Sequence, residues 1–504
     1  MRSKKAILNV GSNLVLQIVV IIYGFIVPKI IISSYGSGVN GLVSSITQFL
    51  AYIALLDSGF TAVIKSQLYK PIARKDNRTI TQILKASDKF FKRIAYIFIV
   101  YIMILSVVYP LLINKDYDFT FTFILVIILS TSSLAEYYFG MVYKIFLQAD
   151  QKSYVISCIQ IITYILSIIF VIILAKYRVS VIVLKLVTSV FFILRPILQN
   201  IYVKRKYNLR FENVVGDYKI KNKWDGFAQH IASVIHGSTD ITVLTIFKGL
   251  MEVSIYSVYA LVTSGIRKII QSFTSGIDSS FGDMIAKEEI DKLNNGFKVY
   301  ELLYNTISIV MYSLTLILII PFISIYTKGI EDCNYVIPLF GYLLVLSEYI
   351  WAIRQPYNEL VKAAGHFKET KKGAWVECIV NVIVSILLVI KYGIIGVAIG
   401  TIVSMGIRAI DLVNHANKYI LRRSNRISIK NFIIVIIDTL IIVFISKYIT
   451  ILEYNGYFNW IINSLIFAIS SIVVVGLTDY LLYKEQILKL FDILRRVFRR
   501  KNDK

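Results

Sequence analysis

The sequence predicts an all-α polytopic membrane protein of about 14 transmembrane helices, with two pseudo-symmetric six-helix lobes plus two C-terminal helices. Three observations predict this class. Of the 504 residues, 57% are hydrophobic and 17% charged, which is too little polar cover for a water-soluble core. Apolar runs of about 20 residues, long enough to cross roughly 30 Å of hydrocarbon, recur along the chain. The two halves of the chain also share a sequence repeat.

Apolar runs bounded by charged residues give the transmembrane spans in chain order. The two longest, 119–146 and 253–285, are expected either to overrun the hydrocarbon or to bend. The fourteen predicted spans are 6–32, 41–66, 93–113, 119–146, 154–175, 179–202, 227–247, 253–285, 300–326, 336–361, 374–390, 393–417, 431–449 and 460–483.

The loop charges predict the orientation, because Lys and Arg are retained on the cytoplasmic side of a membrane. The connections on the side that holds both termini carry 39 Lys and Arg, whereas the opposite connections carry six. Both termini are therefore predicted to be cytoplasmic. This distribution explains the net charge of +24, so the charge does not indicate nucleic-acid binding. The basic tail can lie against anionic headgroups, which makes membrane lipids expected partners.

The sequence repeat has a nearly constant spacing, and each match falls at the same place in its span. Each copy holds six spans, which is an even number. Both copies therefore cross the membrane in the same sense and are related by an axis along the membrane normal. The matches are Ile72–Asp76 with Ile285–Glu289, Pro110 with Pro321, Glu136-Tyr137 with Glu348-Tyr349, and Lys176-Tyr177 with Lys391-Tyr392.

The repeat also predicts the domain organisation. A cavity between two lobes that rock past each other is the expected working site, which indicates a transporter. The predicted parts are an N-lobe at 1–202, a cytoplasmic inter-lobe linker at 203–226, a C-lobe at 227–417, two added helices within 418–483, and a basic cytoplasmic tail at 484–504.

Several kinds of catalytic or cofactor site are not indicated. Three cysteines and four histidines lack the spacing of a disulfide framework or a metal site, so no metal and no cofactor are predicted. The chain has no G-x-x-x-x-G-K-[ST] segment for ATP phosphates. The outer connections, of about 2 to 10 residues, are too short to hold a catalytic domain. No catalytic residue is predicted.

Charged residues inside the spans are the candidate site residues, because a charge at a helix centre costs about 2.5–3.5 kcal/mol unless it faces water or a partner. Arg267 lies near the middle of span eight and shares one helix face with Gln271. Lys268 lies about 100° further round the helix. Arg354 comes two residues before Pro356, where a bend would free backbone groups to line a cavity.

Other charged residues in the spans have two interpretations each. Lys65 and Lys29 either line the two mouths of a cavity or extend their amines to the headgroups. Four carboxylates either bind a coupling ion, H⁺ or Na⁺, or neutralise Arg267 in a structural ion pair. These carboxylates are Asp57, Glu136, Asp240 and Glu348.

Three segments carry a resemblance to a known family. Tyr35–Leu42, Leu55–Phe60 and Gln148–Lys152 resemble bacterial polysaccharide-repeat-unit flippases of the Wzx type. This family is in the same superfamily as the multidrug exporters with twelve helices and the lipid II flippase with fourteen. The resemblance covers nearly the whole chain. It implies a V-shaped pair of six-helix lobes around a cationic cavity that opens alternately to either side.

The resemblance also implies a substrate. It is an undecaprenyl-diphosphate-linked oligosaccharide, moved from the cytoplasmic to the outer leaflet of the bacterial inner membrane, before a polymerase makes capsule, exopolysaccharide or O-antigen. Arg267, Lys268 and Arg354 are then expected to bind the diphosphate. The first alternative is an ion-coupled multidrug exporter of the same superfamily, which would favour an acidic cavity. The second is a membrane polysaccharide polymerase or glycosyltransferase.

Overall fold

The computed structural model describes residues 2–57, 60–113, 116–207, 227–272, 277–449 and 452–487. Within these ranges the elements are helices, with no β-strand among them. The predicted all-α fold class is confirmed. The chain forms two compact units, Met1–Ile255 and Tyr256–Lys504.

The first unit contains the helices of the first copy of the repeat and the beginning of the second copy. A π-helical segment, Glu136–Gly140, joins the sixth helix to the seventh. The described helices are α1 (Arg2–Tyr35), α2 (Ser37–Ala51), α3 (Ala54–Asp57), α4 (Phe60–Arg74), α5 (Asn77–Leu112), α6 (Phe119–Ala135), α7 (Met141–Ala149), α8 (Ser153–Lys176), α9 (Val181–Lys206) and α10 (Phe227–Phe247).

The second unit contains the remaining helices. The first of them, α11, begins a few residues before the boundary between the units. A second π-helical segment, Ala416–Leu421, follows α16. The described helices are α11 (Leu250–Ser272), α12 (Ile277–Ala286), α13 (Ile290–Tyr326), α14 (Pro338–Ala363), α15 (Lys371–Tyr392), α16 (Ile394–His415), α17 (Asn425–Ile449) and α18 (Tyr457–Leu482).

The outer surface of these helices is apolar. Among the described residues, twelve helical stretches are long and apolar enough to cross a membrane. The helices α10 and α14, at predicted spans seven and ten, are not among the twelve, and both carry charged residues within their length. Large side chains such as Leu440 and Ile469 are more than half exposed, which is expected of surfaces that face lipid. The chain is therefore a multi-pass membrane protein.

One of the two longest predicted spans has an interruption in its α-helix. Span 119–146 contains the π-helical segment Glu136–Gly140, where an extra residue in the turn shifts the helix register. In span 253–285 the described residues belong to α11 and α12, and residues 273–276 lie outside the described ranges. That the two spans overrun the hydrocarbon or bend stays a prediction.

The sequence repeat is also present in the backbone. Left-handed residues, which end helices and set turns, recur at nearly the same spacing as the sequence matches. Helix packing recurs as well, since α5–α6, α6–α9 and α8–α9 contacts correspond to α13–α14, α14–α16 and α15–α16 contacts. The matched positive-φ residues are Gly36 (89°) with Gly249 (92°), Lys75 (56°) with Glu288 (57°), Gln151 (58°) with Gly365 (71°), and Arg178 (51°) with Gly393 (58°).

In the first unit, α2 packs against α10, so that helices from the two copies meet. Hydroxyl and amide groups make this contact. The close approach of the backbones beside this contact requires a glycine at position 41, because a Cβ atom there would lie 1.8 Å from the carbonyl oxygen of Leu250. The hydrogen bonds are Ser45 Oγ with Thr245 Oγ1 (2.7 Å), Gln48 Nε2 to Ser238 Oγ (2.6 Å) and Tyr52 OH with Thr242 Oγ1 (2.8 Å).

The turn after α7, within the segment Gln148–Lys152, is fixed by Asp150. Its carboxylate accepts a hydrogen bond from the Tyr207 hydroxyl and pairs with Lys152 at 2.8 Å and Lys5 at 3.5 Å. Burial raises the pKa of Asp150, but the hydrogen bonds from Lys152 and Tyr207 outweigh burial and hold the pKa below its ordinary value. This motif therefore joins the ends of α1, α7 and α9.

Candidate functional site

Arg267 on α11 binds Glu348 on α14 in a bidentate ion pair. Its Nε donates to Oε2 at 2.7 Å and its Nη2 donates to Oε1 at 2.6 Å. The guanidinium also lies 4.6 Å from the ring centroid of Trp351, one turn further along α14. Two parallel charge-assisted hydrogen bonds and an aromatic face are favourable contacts for a guanidinium. The structure therefore contains one of the four ion pairs with Arg267 that the sequence analysis considered, the one with Glu348.

The exposure of this pair is uneven. The Arg267 side chain is 29% exposed, whereas the Glu348 side chain is 12% exposed. A guanidinium has five N–H groups, and the described hydrogen bonds to Glu348 use two of them. The arginine side chain is therefore the more exposed member of the pair, and three of its N–H groups lie outside the two hydrogen bonds to Glu348.

A second set of ion pairs, around Glu377 on α15, is more buried than the first. Arg354 donates from Nη1 to Glu377 Oε1 at 2.6 Å, and Arg408 Nε lies 3.6 Å from the other carboxylate oxygen. Arg408 also donates to Asp411 at 2.6 Å and to the Thr370 carbonyl at 2.9 Å. Both arginines are more than nine-tenths buried. Buried charges of this kind persist only when they are paired and hydrogen-bonded.

The two sets are connected through α14, which carries both Glu348 and Arg354, and these two side chains interact electrostatically. Together they contain three arginines and three carboxylates, so the set as defined is formally neutral. These buried ion pairs therefore do not by themselves give the site the cationic character that was predicted. We call this set the α14 charge network; its members are Arg267, Glu348, Arg354, Glu377, Arg408 and Asp411.

The other predicted cations and Gln271 lie outside the α14 charge network. Lys268 and Gln271 are exposed on α11, the helix that carries Arg267. Lys65 on α4 and Lys29 on α1 are half-buried and belong to the first unit. Lys268 and Gln271 are therefore on the same helix as the bidentate pair, and a role for Lys65 and Lys29 stays a prediction.

The predicted coupling carboxylates lie in four different surroundings. Glu348 binds Arg267, whereas Glu136 pairs with Lys144 of its own span and is 44% exposed. Asp240 on α10 is buried, with 7% of its surface exposed. Asp57 ends α3, and its side chain lies outside the described part of the chain. Within the described residues, no three His, Cys, Asp or Glu side chains are grouped to hold a metal ion.

Sequence reasoning did not select Glu377, although it joins Arg354 to Arg408. The available signal was a carboxylate inside predicted span 374–390, where an ionised side chain requires a partner. The buried pair of Arg423 with Glu301, at 3.1 Å, was also not selected. Both partners of this pair lie at predicted span ends or in connections, where a charge is ordinary.

Comparison with known proteins shows similarity at the level of the fold. No family model and no curated protein matches the sequence. The chain is similar in structure to lipid II flippase MurJ in an inward closed conformation, with a TM-score of 0.68, 15% identity, and coverage of 95% of this chain and 100% of MurJ. It is similar to an inward-facing MATE family multidrug resistance transporter of the MOP superfamily, with a TM-score of 0.61, 11% identity, and coverage of 77% and 92%.

A eukaryotic MATE transporter is also similar, with a TM-score of 0.57, 13% identity, and coverage of 86% of this chain and 98% of that chain. Identities this low are informative about the fold and not about the substrate. The similarity extends over nearly the whole chain in the case of MurJ. The chain therefore has the transporter fold shared by MurJ and the MATE proteins.

Proposed function

We propose that this protein is a flippase that moves an undecaprenyl-diphosphate-linked oligosaccharide from the cytoplasmic to the outer leaflet by alternating access. The observation that carries the proposal is the bidentate geometry in which Arg267 binds the Glu348 carboxylate, with further N–H groups of the guanidinium outside these two hydrogen bonds. Two oxygens of a phosphate have a spacing similar to those of a carboxylate, and both groups accept bidentate hydrogen bonds from an arginine. The fold shared with a lipid II flippase supports a lipid-linked substrate.

In the proposed mechanism, Glu348 neutralises Arg267 while no substrate is bound. The diphosphate then binds the remaining N–H groups of Arg267 or replaces Glu348, with Lys268 and Gln271 on the same helix as further ligands. A buried guanidinium without any anion is costly, so the exchange keeps it paired throughout. The lipid tail would stay in the bilayer, and the sugar would cross in the cavity that the sequence analysis predicts between the lobes.

The contact between α2 and α10 supports the alternating-access part of the proposal. These helices come from different copies of the repeat and meet through hydroxyl and amide groups. Each such hydrogen bond contributes only about 0.5–1.5 kcal/mol net, because water replaces the partner when the contact opens. Movement of the predicted lobes would break these hydrogen bonds at modest cost and form them again on closing.

We also propose in which membrane, and with which partner, the transport step takes place. The protein would act in the bacterial cytoplasmic membrane, with both termini cytoplasmic and a polysaccharide polymerase as a downstream partner. The product would enter capsule, exopolysaccharide or O-antigen synthesis. Coupling to H⁺ or Na⁺ would involve Glu348 when the substrate releases it from Arg267, with Asp240, Glu136 and Asp57 as further candidates.

A second candidate function is ion-coupled multidrug export. Two observations favour it: the formal neutrality of the α14 charge network and the similarity to MATE transporters. In that case Glu348, once separated from Arg267, would bind an organic cation. Arg267 would then control whether the Glu348 carboxylate is free to bind the cation. It would not itself contact the transported molecule.

A leaflet-resolved assay in lipid vesicles distinguishes these functions. One set of vesicles carries an undecaprenyl-diphosphate-linked oligosaccharide, and a second set contains a lipophilic organic cation. Arg267→Ala is expected to reduce oligosaccharide transport at least about tenfold, since hydrogen bonds to charged groups contribute about 1.5–3 kcal/mol. Lys144→Ala, a matched control at the exposed pair with Glu136, is expected to retain transport. Undiminished oligosaccharide transport by Arg267→Ala, or transport of the cation alone, would contradict the proposal.

A further inference from the structure

The two helices that follow the repeat, α17 and α18, each carry a buried aspartate. Asp438 is near the middle of the 25-residue helix α17 and has no exposed surface. Asp479 is one turn from the end of α18 and is 8% exposed. Neither helix belongs to the two copies of the repeat, and neither contributes to the α14 charge network.

Asp438 lacks the contacts that normally stabilise a buried carboxylate. Neither of its oxygens accepts a hydrogen bond of ordinary geometry, although Thr478 on α18 lies beside the carboxyl group. Among the described residues no ion pair includes it. An ionised carboxylate in this position would have neither water nor a cation to balance its charge. The neutral, protonated form of Asp438 is the form that fits these surroundings.

Asp479 is the neighbouring group of like charge. The two carboxyl groups interact electrostatically, and Asp479 accepts a hydrogen bond from Thr306 on α13 at 2.6 Å. Two nearby carboxylates in an apolar region cannot both remain ionised without a counterion, so one proton belongs to the pair. Asp479 has the hydrogen bond that an ionised carboxylate requires, and Asp438 does not.

A cavity of about 240 Å³ between α13, α17 and α18 reaches Asp479, with room for several water molecules. It lies toward the helix ends that are predicted to be cytoplasmic. Asn305 lines this cavity, is 7% exposed, and has an Oδ1 atom without a hydrogen-bond partner. A buried acceptor of this kind indicates a bound donor such as water. The cavity thus offers Asp479 a hydrated route that Asp438, which does not line it, lacks.

The other titratable groups around Asp438 and Asp479 do not neutralise this pair in place of the proton. Glu301 is already bound by Arg423 at 3.1 Å and by the Tyr357 hydroxyl. Two lysines also line the cavity. The groups that face the cavity or the pair are Lys298 and Glu301 on α13, Lys430 on α17, Tyr349 on α14 and Tyr483 after α18.

We propose that Asp438 and Asp479 form a proton-binding site, in which Asp479 exchanges protons with the cavity and Asp438 stores one. A proton fits this site better than a metal cation, which needs several oxygen ligands around one point. Binding converts one carboxylate to a carboxyl group and release reverses it, with the proton passing to water in the cavity. That this site couples proton movement to transport rests on the proposed function.

Infrared spectroscopy of the purified full-length protein in vesicles tests the site directly, through the C=O stretch band of a protonated carboxyl group. Near neutral pH, the wild-type protein is expected to show such a band, and Asp438→Asn is expected to lose it. Asp479→Asn is expected to retain the band but to change its dependence on pH, because the neighbouring charge is removed. Asp283→Asn, at an exposed ion pair with Lys287, is the matched control and is expected to leave the band unchanged.

Identical spectra of wild type and Asp438→Asn would overturn the proposal. So would loss of the band on addition of Na⁺ at constant pH, which would indicate a metal-cation site. The role in coupling has a separate readout, since Asp438→Asn is expected to remove the dependence of transport on an imposed pH gradient. Arg267→Ala is expected to reduce transport at least about tenfold while the infrared band persists, so failure of the proposed function and failure of this proposal are distinguishable.

Discussion

Glu136 and Glu348 occupy matching positions in the two copies of the repeat, but they have different partners. Glu136 is 44% exposed and pairs with Lys144 of its own span. Glu348 is 12% exposed and holds Arg267 of another helix through two hydrogen bonds. The first pair is a surface contact that contributes little, whereas the second fixes two helices to each other.

Two buried or partly buried arginines, Arg195 of the first copy and Arg408 of the second, also differ in their partners. Arg195 donates to the Thr163 hydroxyl at 2.8 Å and stacks 3.9 Å from the ring centroid of Phe192. Arg408 instead pairs with Asp411 and with Glu377, whose place in the second copy corresponds to that of Thr163 in the first. Aromatic and hydroxyl contacts thus hold the arginine of the first copy, and carboxylates hold that of the second.

This comparison indicates that duplication preserved the helices and their turns while the charges diverged. Within the described residues, the connected network of arginines and carboxylates lies in the second copy. A carboxylate neutralises the arginine that it holds and can be exchanged for a competing anion, whereas a hydroxyl or an aromatic ring leaves the charge of the arginine uncompensated. We therefore propose that the exchange of a protein carboxylate for a substrate anion takes place in the second copy. The following predictions test this difference between the copies, the contact between them and the proposed exchange.

The largest effect is expected from Glu377→Ala. This change leaves Arg354 and Arg408 without the carboxylate between them, and breaking a buried ion pair costs about 3–5 kcal/mol. We expect a clearly lower thermal unfolding temperature in detergent. The matched change in the first copy, Thr163→Ala, is expected to cost about 1 kcal/mol, since it removes one hydrogen bond. Equal losses from the two variants would contradict the asymmetry.

Arg267→Lys is expected to have the next largest effect. A lysine keeps the charge but cannot make two parallel hydrogen bonds to a carboxylate or a phosphate. Loss of about 1.5–3 kcal/mol corresponds to roughly a tenfold to hundredfold decrease in oligosaccharide transport, measured in vesicles. Arg195→Lys in the first copy serves as the comparison and is expected to retain more transport. If Arg267→Lys transports at the wild-type rate, bidentate recognition is not required.

Gly41→Ala tests the contact between the two copies. The added Cβ would lie 1.8 Å from the Leu250 carbonyl, so α2 must move away, at a cost of about 1–3 kcal/mol. We expect reduced transport and faster thiol labelling of a cysteine placed at Thr245, in a background without the native cysteines. Gly237→Ala on α10, where a Cβ would meet nothing within 4 Å, is the control. Unchanged labelling in Gly41→Ala would show that the contact does not close the pathway.

The smallest effect is expected from Glu136→Gln. Its pair with Lys144 is partly exposed, and such pairs contribute about 0–1 kcal/mol. Transport and unfolding temperature are both expected to stay close to wild type. Glu348→Gln is the matched change, and it is expected to reduce the unfolding temperature because Arg267 loses its buried partner. A strong defect in Glu136→Gln would indicate that the first copy also carries a functional carboxylate.

The fold could be predicted from the sequence because its signals are periodic and repeated. Apolar runs located the helices, and the sequence matches between the two copies correspond to matched turns in the backbone. Prediction was weaker for α10 and α14, whose polar residues reduce their hydropathy. Those polar residues are also what makes α14 part of the candidate site.

The site itself was only partly predictable. Arg267, Arg354 and Glu348 were selected because charges inside a span require partners. Their pairing was left open, since spacing along one helix does not determine which residue of another helix lies opposite. Glu377 was missed for the same reason, and the first-copy pairing of Glu136 with Lys144 depends on the π-helical segment between them. Residue pairing across helices is set by packing, which one sequence does not reveal.

The most direct test of the central claim is transport by the double variant Arg267→Gln and Glu348→Gln. Removing both charges together avoids a buried unpaired ion, so the unfolding temperature is expected to stay near that of the wild type. If Arg267 binds the diphosphate, oligosaccharide transport by this stable protein will be lost. Wild-type transport by the double variant would show that the pair is structural and that the substrate binds elsewhere.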